Sequence, residues 1–557
     1  MREIVTLQLG QQSNYLGTHF WNTQESYFTY GEDGETPVDH DVHFRPGIGA
    51  DGTETYMPRT VIYDLKGGFG SMRKINALYE AEGEPTALWN GQPVVHRQQP
   101  IDPSAYQESL DTGNAAPELT TSSVRYWSDF SRVFYHPRSI VQLNEYELNS
   151  SLMPFEKWHM GEELFSSLDK DHDILDRDLR PFVEEADHMQ GVQIMTGIDD
   201  AWGGFAAKYL ERLRDEYGKV PIWVWGLQEP TSGVPREKRL LRLVNKARAI
   251  ADMYSQASLI IPLAVPSRLP SGVSLDRSSP WHVAGLFNAA MESTSLFTRL
   301  KANDQVNSIS MGHATDLLNV FGKQTLANLQ FSMVEPPKAA QNGTNGAMQL
   351  PTGRGELYGR INALEFEDQS DSGAQNEVSA LDIDLSTIEE GITSSASSRR
   401  RRRPHLFSQL ATARGEAALK GFQEEEPSDE YRRYERPKTH KYVYEYLKSA
   451  AGTFGFTVQK FYLQFTRFQS ELMYPMLDSY PRIFRDREQN SIRNPLSMRT
   501  VLSTDSSVTD KMKGLRTTVL RSISVEDRED VGNELAEISE GYKEGFSSGS
   551  DDDDDDE

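Results

Sequence analysis

The stretch Ile4-Val5-Thr6-Leu7-Gln8-Leu9-Gly10-Gln11-Gln12-Ser13-Asn14 decides the fold of this chain. Up to Leu9, apolar and polar residues alternate, and this period of two predicts a strand. Beyond Gly10, residues on one face recur every three or four positions and predict that an amphipathic helix begins at once: Leu16, Phe20, Thr23 and Tyr27. A strand, a glycine turn and a helix start form the usual cradle for a phosphate, because backbone N–H groups and the helix dipole point at the anion.

A second glycine turn extends this phosphate-binding hypothesis. A strand is predicted to end at Asp64-Leu65, and Lys66-Gly67-Gly68 follow it. The candidate cofactor-binding residues belong to these two turns: Gly10, Gln11, Asn14, Gly67 and Gly68. The residue types alone leave two interpretations open, a nucleotide site or an ordinary turn between a strand and a helix of an α/β domain.

Three segments of the amino-terminal half resemble eukaryotic tubulins. They are residues 2–21, residues 58–65 and residues 179–217, the last with the tubulin order of helix, strand, loop and helix. The resemblance covers residues 1–230 and fades afterwards. It implies a tubulin-like, Rossmann-like α/β nucleotide domain, followed by a divergent α+β second domain.

A third loop departs from the tubulin pattern. Tubulins wrap the nucleotide phosphates there with glycines around a threonine and a serine, whereas this chain has Asp199-Asp200-Ala201-Trp202. Each carboxylate would repel a polyphosphate by on the order of a few kcal/mol at about 4 Å. A bound Mg²⁺ would reverse that, since paired aspartates are good ligands for hard cations. The other interpretation is an altered loop in a protein that no longer hydrolyses GTP.

The water-activating pattern of tubulins is also missing from the sequence. In tubulins it comes from the next subunit as Gly-x-x-Asn-x-Asp-x-x-Glu. Here residues 235–257 predict a long helix that runs straight into the apolar stretch 259–265. The departures imply a pseudo-GTPase without catalytic residues. No cofactor is expected, and GTP binding without turnover stays open.

Further stretches are similar to the Misato/Dml family of eukaryotes, and to its fungal branch: residues 127–130, 135–139, 199–205 and 474–481. This resemblance implies a non-enzymatic role in partitioning the mitochondrial organelle and in inheritance of mitochondrial DNA. Two other functions stay open, a tubulin-like GTPase that binds GTP and polymerises, and an assembly cofactor that meets tubulin or a chaperonin. Residues 474–481 also fit a packed turn that leads into a strand.

The charge balance argues against direct binding to nucleic acid. The 557 residues carry a formal net charge of −25, and leaving out the seven acids of residues 551–557 gives −18. Such a surface does not favour phosphate contacts, so any effect on DNA is expected to be indirect. The chain has no cysteine, which excludes a disulfide framework, thiolate catalysis and cysteine-ligated metals.

The expected location follows from two further features. No run of 18 apolar residues occurs, so no transmembrane segment is predicted. The amino terminus reads as an alternating strand containing Glu3, unlike an arginine-rich presequence. With the family resemblance, we expect peripheral attachment to the cytosolic face of the mitochondrial outer membrane, and presence in the cytoplasm.

The predicted domains follow shifts in composition. A hydrophobic fraction of 37% and a mean hydropathy of −0.59 predict a sizeable disordered part. We expect a tubulin-like α/β domain (1–230), a long helix with the start of a second domain (231–335), a disordered acidic and basic insert (336–438), a carboxyl-terminal α+β region (439–545) and an acidic tail (546–557). Within the insert, residues 406–422 predict one helix.

Other segments allow only coarser interpretations. The arginine run 399–403 fits a solvated spacer, a patch for anionic lipid or an acidic partner, or a nuclear-import or nucleic-acid patch. The aromatic stretch 454–468 predicts core rather than base stacking, and residues 525–542 predict a last helix. No metal site is expected, because the histidines lack ligand spacing and the acid-rich stretch 169–178 lacks the glycine of a calcium loop.

Overall fold

The computed structural model describes residues 2–29, 36–48, 54–72, 101–301, 308–334, 382–388, 404–423, 464–486, 488–522 and 525–543. The strands are β1 (Glu3–Leu9), β2 (Phe44–Ile48), β3 (Glu54–Pro58), β4 (Thr60–Lys66), β5 (Ile140–Glu147), β6 (Met189–Gly197), β7 (Ile222–Leu227), β8 (Leu259–Leu263), β9 (Asn328–Val334), β10 (Asp382–Asp384), β11 (Leu406–Arg414), β12 (Gln464–Ser470) and β13 (Ser497–Asp505). The α-helices are α1 (Gln11–Glu25), α2 (Ala105–Thr112), α3 (Trp158–His172), α4 (Arg180–Glu184), α5 (Ala201–Glu216), α6 (Arg236–Tyr254), α7 (Pro280–Ser295), α8 (Met311–Leu318), α9 (Glu416–Gln423), α10 (Ser507–Val519) and α11 (Val525–Gly541).

Six parallel strands form the first sheet, in the order β5-β4-β1-β6-β7-β8. Every residue of the central β1 is buried. Ile4 packs into one hydrophobic core, and Val5, Leu7 and Leu9 pack into another. Both faces of the sheet are therefore covered, as expected for a parallel sheet. The predicted tubulin-like α/β fold is confirmed, including the strand–turn–helix unit of residues 4–25 and the order α4, β6, α5.

The first sheet extends beyond the predicted boundary at residue 230. The long helix predicted there is α6, but the apolar stretch after it is β8, which pairs in parallel with β7. The tubulin resemblance in the sequence thus fades before the first sheet is complete. The chain instead reaches the second sheet through α7, which packs against α1, β11 and β13.

The second sheet has the order β10-β9-β13-β11-β12 and mixes antiparallel and parallel pairs. The helix predicted at residues 406–422 is wrong over its first half. Residues 406–414 form β11, a strand between β12 and β13, and α9 begins only at Glu416. Eight of the nine residues of β11 are buried, so burial against two neighbouring strands decides the conformation rather than the local apolar spacing.

The predicted insert therefore contains ordered parts of the second sheet. Both β10 and β11 fall within residues 336–438. The arginine run 399–403, most of the aromatic stretch and the acidic tail lie outside the described residues. Phe468 of that aromatic stretch is buried, and the predicted last helix is confirmed as α11. Among the described residues, no helix is both long and apolar enough to cross a bilayer.

A cluster of buried charged side chains lies between elements of the two sheets. Glu292 on α7 lies between Arg299 and Arg414, and all three side chains are inaccessible to solvent. The Tyr27 hydroxyl, just after α1, donates to Glu292 Oε1 at 2.8 Å and accepts from Arg414 Nη2 at 2.9 Å. Burial alone would raise the pKa of Glu292, but the two guanidinium groups hold it below its ordinary value.

Candidate functional site

The first glycine turn has the backbone geometry of an anion cradle. Gly10 has φ 88°, a left-handed conformation that favours glycine, and its N–H donates to the Tyr63 carbonyl at 3.0 Å. Helix α1 begins at Gln11, and no side chain caps its amino terminus. Because the first N–H groups of a helix have no partner within that helix, this end is suited to receive an anion.

The polar side chains of the turn point to a carboxylate of the chain itself. Asp64, at the end of β4, is fully buried. Its Oδ2 accepts hydrogen bonds from Gln11 Nε2 at 2.8 Å, from Asn14 Nδ2 at 2.7 Å and from Trp127 Nε1 at 3.2 Å. Its Oδ1 accepts from the backbone N–H of Leu65 at 2.8 Å. Two of the candidate nucleotide contacts are thus engaged within the protein.

Burial and hydrogen bonding act in opposite directions on Asp64. Burial in the protein raises the pKa of its carboxyl group to about 7, against the donors from Asn14, Leu65, Trp127 and Gln11, which favour the ionised form. The ordinary value is 3.8. Asp64 therefore titrates near neutral pH at the point where the first and second turns meet.

The second glycine turn closes against the same carboxylate. Gln11 Nε2 also donates to the Gly68 carbonyl at 2.9 Å. A β-carbon added at Gly68 would lie 2.7 Å from Asp64 Oδ2, so the turn needs glycine for this close approach. Gly67 has φ 88°, and a β-carbon there would meet nothing within 4 Å. The structure thus joins Gln11, Asn14 and Gly68 through Asp64, while Gly67 only forms the turn.

The indole of Trp202 covers Gly10. A β-carbon built on Gly10 would lie 2.5 Å from Trp202 Cε2 and 2.6 Å from Cδ1. Phe155 and Phe205 hold the indole edge-on, with ring centroids 5.3 and 5.6 Å away. The Trp202 side chain is only 5% exposed. The space above the first turn is therefore filled by an aromatic ring from the first turn of α5.

The two aspartates before Trp202 make hydrogen bonds to the backbone. Asp200 caps α5, because its Oδ1 accepts from the Trp202 N–H at 2.9 Å. Asp199 Oδ2 accepts from the Glu229 N–H at 2.9 Å. Burial, followed by the charge of Asp199, raises the pKa of Asp200 to about 7. Across the described residues, no group of three or more His, Cys, Asp or Glu side chains is arranged to hold a metal ion.

The residues present do not fit a polyphosphate in this corner. The indole fills the space over Gly10, Asp64 uses the amide groups of Gln11 and Asn14, and Asp199 adds a carboxylate next to Asp200 at the start of α5. Sequence reasoning identified the unusual Trp202 but missed that Asp64 and Trp127 complete the cluster. Asp64 was visible only as the last polar residue of a strand, and Trp127 is 63 residues away along the chain.

Comparisons with known proteins identify the family of this chain. Residues 2–112 match the model of the Misato Segment II tubulin-like domain, and residues 116–300 match the model of the tubulin domain. Protein dml-1 of Neurospora crassa is 51% identical over the whole of both chains, and Protein DML1 of Gibberella zeae is 45% identical, also over the whole of both. Protein dml1 of Schizosaccharomyces pombe is 36% identical over 54% of this chain and 66% of its own.

Proposed function

Because this chain belongs to the Dml1 family of tubulin-like proteins, we propose that it is a non-enzymatic factor for distributing mitochondria and for inheriting mitochondrial DNA. The organelle follows from the Misato/Dml resemblance of its sequence. The proposed absence of enzymatic activity is supported by the site, where Trp202 takes the space over Gly10. This single contact carries the proposal, because nucleotide turnover in the tubulin manner needs the phosphates to reach that turn.

In the proposed mechanism, the tubulin-like domain binds a protein partner and does not change conformation with nucleotide. The side chains that would contact nucleotide instead bind one another through Asp64, which locks the first and second turns together. A fixed corner of this kind suits a protein that acts by binding a protein partner rather than by a nucleotide cycle. Effects on mitochondrial DNA are then secondary to the distribution of the organelle.

We further propose that the protein acts from the cytosolic side of the mitochondrial outer membrane, attached peripherally, with a second pool in the cytoplasm. A formal net charge of −25 supports the exclusion of DNA as a direct ligand, since such a surface gains little from releasing counterions. Attachment would then depend on a partner protein at the outer surface.

Two measurements in cells test this proposal. Depletion of the protein should disturb mitochondrial distribution first, and loss of mitochondrial DNA should follow. Protease added to intact mitochondria should digest the associated protein, and carbonate or high salt should release it. Protection inside intact organelles, or DNA loss that precedes any change in distribution, would overturn the proposal.

The competing function is a polymerising GTPase of the tubulin type. It is supported by the tubulin-like fold and by Gly10, Gln11 and Asn14, which occupy the expected turn. It would require Trp202 to leave Gly10 and Asp64 to release both amides. An assembly cofactor that binds tubulin or a chaperonin would not need Trp202 and Asp64 to move. Tubulin or a chaperonin is therefore an alternative partner.

A further inference from the structure

The buried charge cluster between the sheets carries one excess positive charge. Glu292 faces both Arg299 and Arg414, and the accessible surface of all three side chains is zero. Nearby, Arg59 is 5% exposed, and it interacts with the carboxylates of Glu3, Glu185 and Asp41 and with the guanidinium group of Arg45. The excess positive charge therefore lies on Arg299 and Arg414, which share the one carboxylate of Glu292.

An unbalanced charge in such a position is costly. Removing an ion from water costs several kcal/mol even after the protein relaxes, unless an opposite charge and hydrogen bonds compensate. Glu292 can neutralise only one of its two arginines. Tyr27 does not supply the missing charge, because burial, the largest influence on it, raises the pKa of its hydroxyl group and keeps it neutral.

Unused hydrogen-bond donors lie on one side of this cluster. Arg299 uses Nη1 and Nη2 to bind Ser295 and Glu292, but its buried Nε has no partner among the described residues. Within the part of the chain that the structure describes, three other buried nitrogens also lack a partner: Trp21 Nε1, His43 Nδ1 and Arg59 Nη1. All four side chains are at least nine-tenths buried. Buried polar groups in folded proteins nearly always have a partner, so this group of nitrogens indicates a bound species.

Contacts between aromatic rings and guanidinium groups show that the four side chains with unused nitrogens are neighbours. The Arg299 guanidinium lies over the Phe20 ring at 5.7 Å, and Phe20 contacts His43 with ring centroids 5.2 Å apart. Trp21 and His43 are 5.9 Å apart, and the backbone N–H of Arg59 donates to the His43 carbonyl at 2.8 Å. Burial, then Arg299 and Arg59, lower the pKa of His43 well below its ordinary value, so the imidazole is neutral.

We propose that a small monovalent anion of the halide class, chloride in the cell, binds between Arg299, His43, Trp21 and Arg59. Such an ion would supply the missing negative charge and accept the unused N–H groups, whereas a water molecule could do only the second. With His43 neutral, its Nδ1 donates in the tautomer that carries the proton there. This site is separate from the first glycine turn and does not depend on the mitochondrial proposal.

The experiment measures the thermal stability of the full chain in chloride, bromide and gluconate salts at equal ionic strength. Chloride and bromide should raise Tm saturably, by about 1–3 °C over gluconate, because an ion that binds only the folded state stabilises it. Arg299→Gln leaves Glu292 and Arg414 as a balanced pair and should abolish the halide effect. Arg493→Gln, at an arginine that is 69% exposed, is the matched control and should keep it.

If Arg299→Gln does not fold, a second measurement on the wild-type chain tests whether a halide is bound. Crystals of the wild-type chain grown in bromide should show an anomalous peak within hydrogen-bonding distance of Arg299 Nε. Density at that place without anomalous signal would identify water and overturn the proposal. A halide effect shared equally by the wild type and a folded Arg299→Gln would indicate surface binding and would also overturn it, as would stability that is indifferent to the anion.

Discussion

Trp202 and Gly10 are in direct contact: the indole lies where the first side-chain atom of any other residue at position 10 would have to be. The two residues follow adjacent parallel strands, β6 and β1, so the edge of the sheet brings them together. Trp202, from the loop that departs from the tubulin pattern, therefore covers the turn that would receive phosphate.

This contact predicts strong energetic coupling between the two positions. Gly10→Ala should destabilise the wild type by about 2–4 kcal/mol, from the positive φ and from overpacking against the indole. Trp202→Ala should cost about 3–5 kcal/mol by leaving a cavity. In the Trp202→Ala background, Gly10→Ala should cost only about 1 kcal/mol, because the backbone strain remains but the overpacking is gone.

Urea unfolding of the four proteins measures this coupling. Gly113→Ala is a suitable control, since Gly113 also has positive φ but a β-carbon there meets nothing within 4 Å. Its cost should be the same in both backgrounds. Equal costs of Gly10→Ala in the two backgrounds would show that the indole does not lie on Gly10 in solution.

A second prediction concerns nucleotide. We expect no GTP in protein extracted under native conditions, and no GTP hydrolysis above the background rate, because the space over Gly10 is filled and Asp64 holds Gln11 and Asn14. Purified tubulin provides the positive control for both assays. Phosphate release that rises with protein concentration and survives repeated chromatography would contradict the proposal of a non-enzymatic protein.

The third prediction concerns pH and Asp64. Its pKa is about 7 in the folded protein against an ordinary 3.8, so between these values the folded state keeps a proton that the unfolded chain has released. Stability from this group is therefore present at low pH and lost as pH rises towards 7, by up to about 4 kcal/mol. Asp64→Asn should remove that loss.

Unfolding free energies between pH 5.5 and 8 test the prediction. The unfolding free energy of Asp64→Asn minus that of the wild type should rise up to pH 7 and then stay constant. Asp252, whose pKa burial also raises to about 7, gives a comparison at a separate position. Asp252→Asn should leave the contribution of Asp64 unchanged, and a pH profile that Asp64→Asn does not alter would show that Asp64 is ionised throughout.

Local sequence patterns predicted the parts of the fold that local contacts decide. The alternation up to Leu9 and the glycine at position 10 predicted β1, the turn and α1, because strand burial and positive φ are properties of those residues themselves. The helix predicted at residues 406–422 from apolar spacing is wrong over residues 406–414. That segment is a strand because it pairs with β12 and β13, which lie 50 or more residues further along the chain.

The geometry of the site also could not be predicted from local sequence patterns. The sequence identified Trp202 as unusual, yet its position over Gly10 depends on the start of α5 and on contacts with Phe155 and Phe205. Asp64 became the centre of the corner through donors from Gln11, Asn14 and Trp127, which no sequence spacing brings together. Long-range contacts of this kind decide whether a retained motif still has its function.

The last prediction concerns the charge cluster that joins the sheets. Glu292→Gln removes the carboxylate that Arg299 and Arg414 share, and the anion proposed at Arg299 would balance only one of these two buried guanidinium groups. Breaking a buried pair in this way should cost about 3–5 kcal/mol of unfolding free energy. Glu118→Gln is the matched control, because Glu118 is 65% exposed and lies 3.7 Å from Arg493. Its loss should cost less than about 1 kcal/mol. Similar, small costs for both variants, measured by urea unfolding, would show that water reaches Glu292 and that the cluster does not hold the two sheets together.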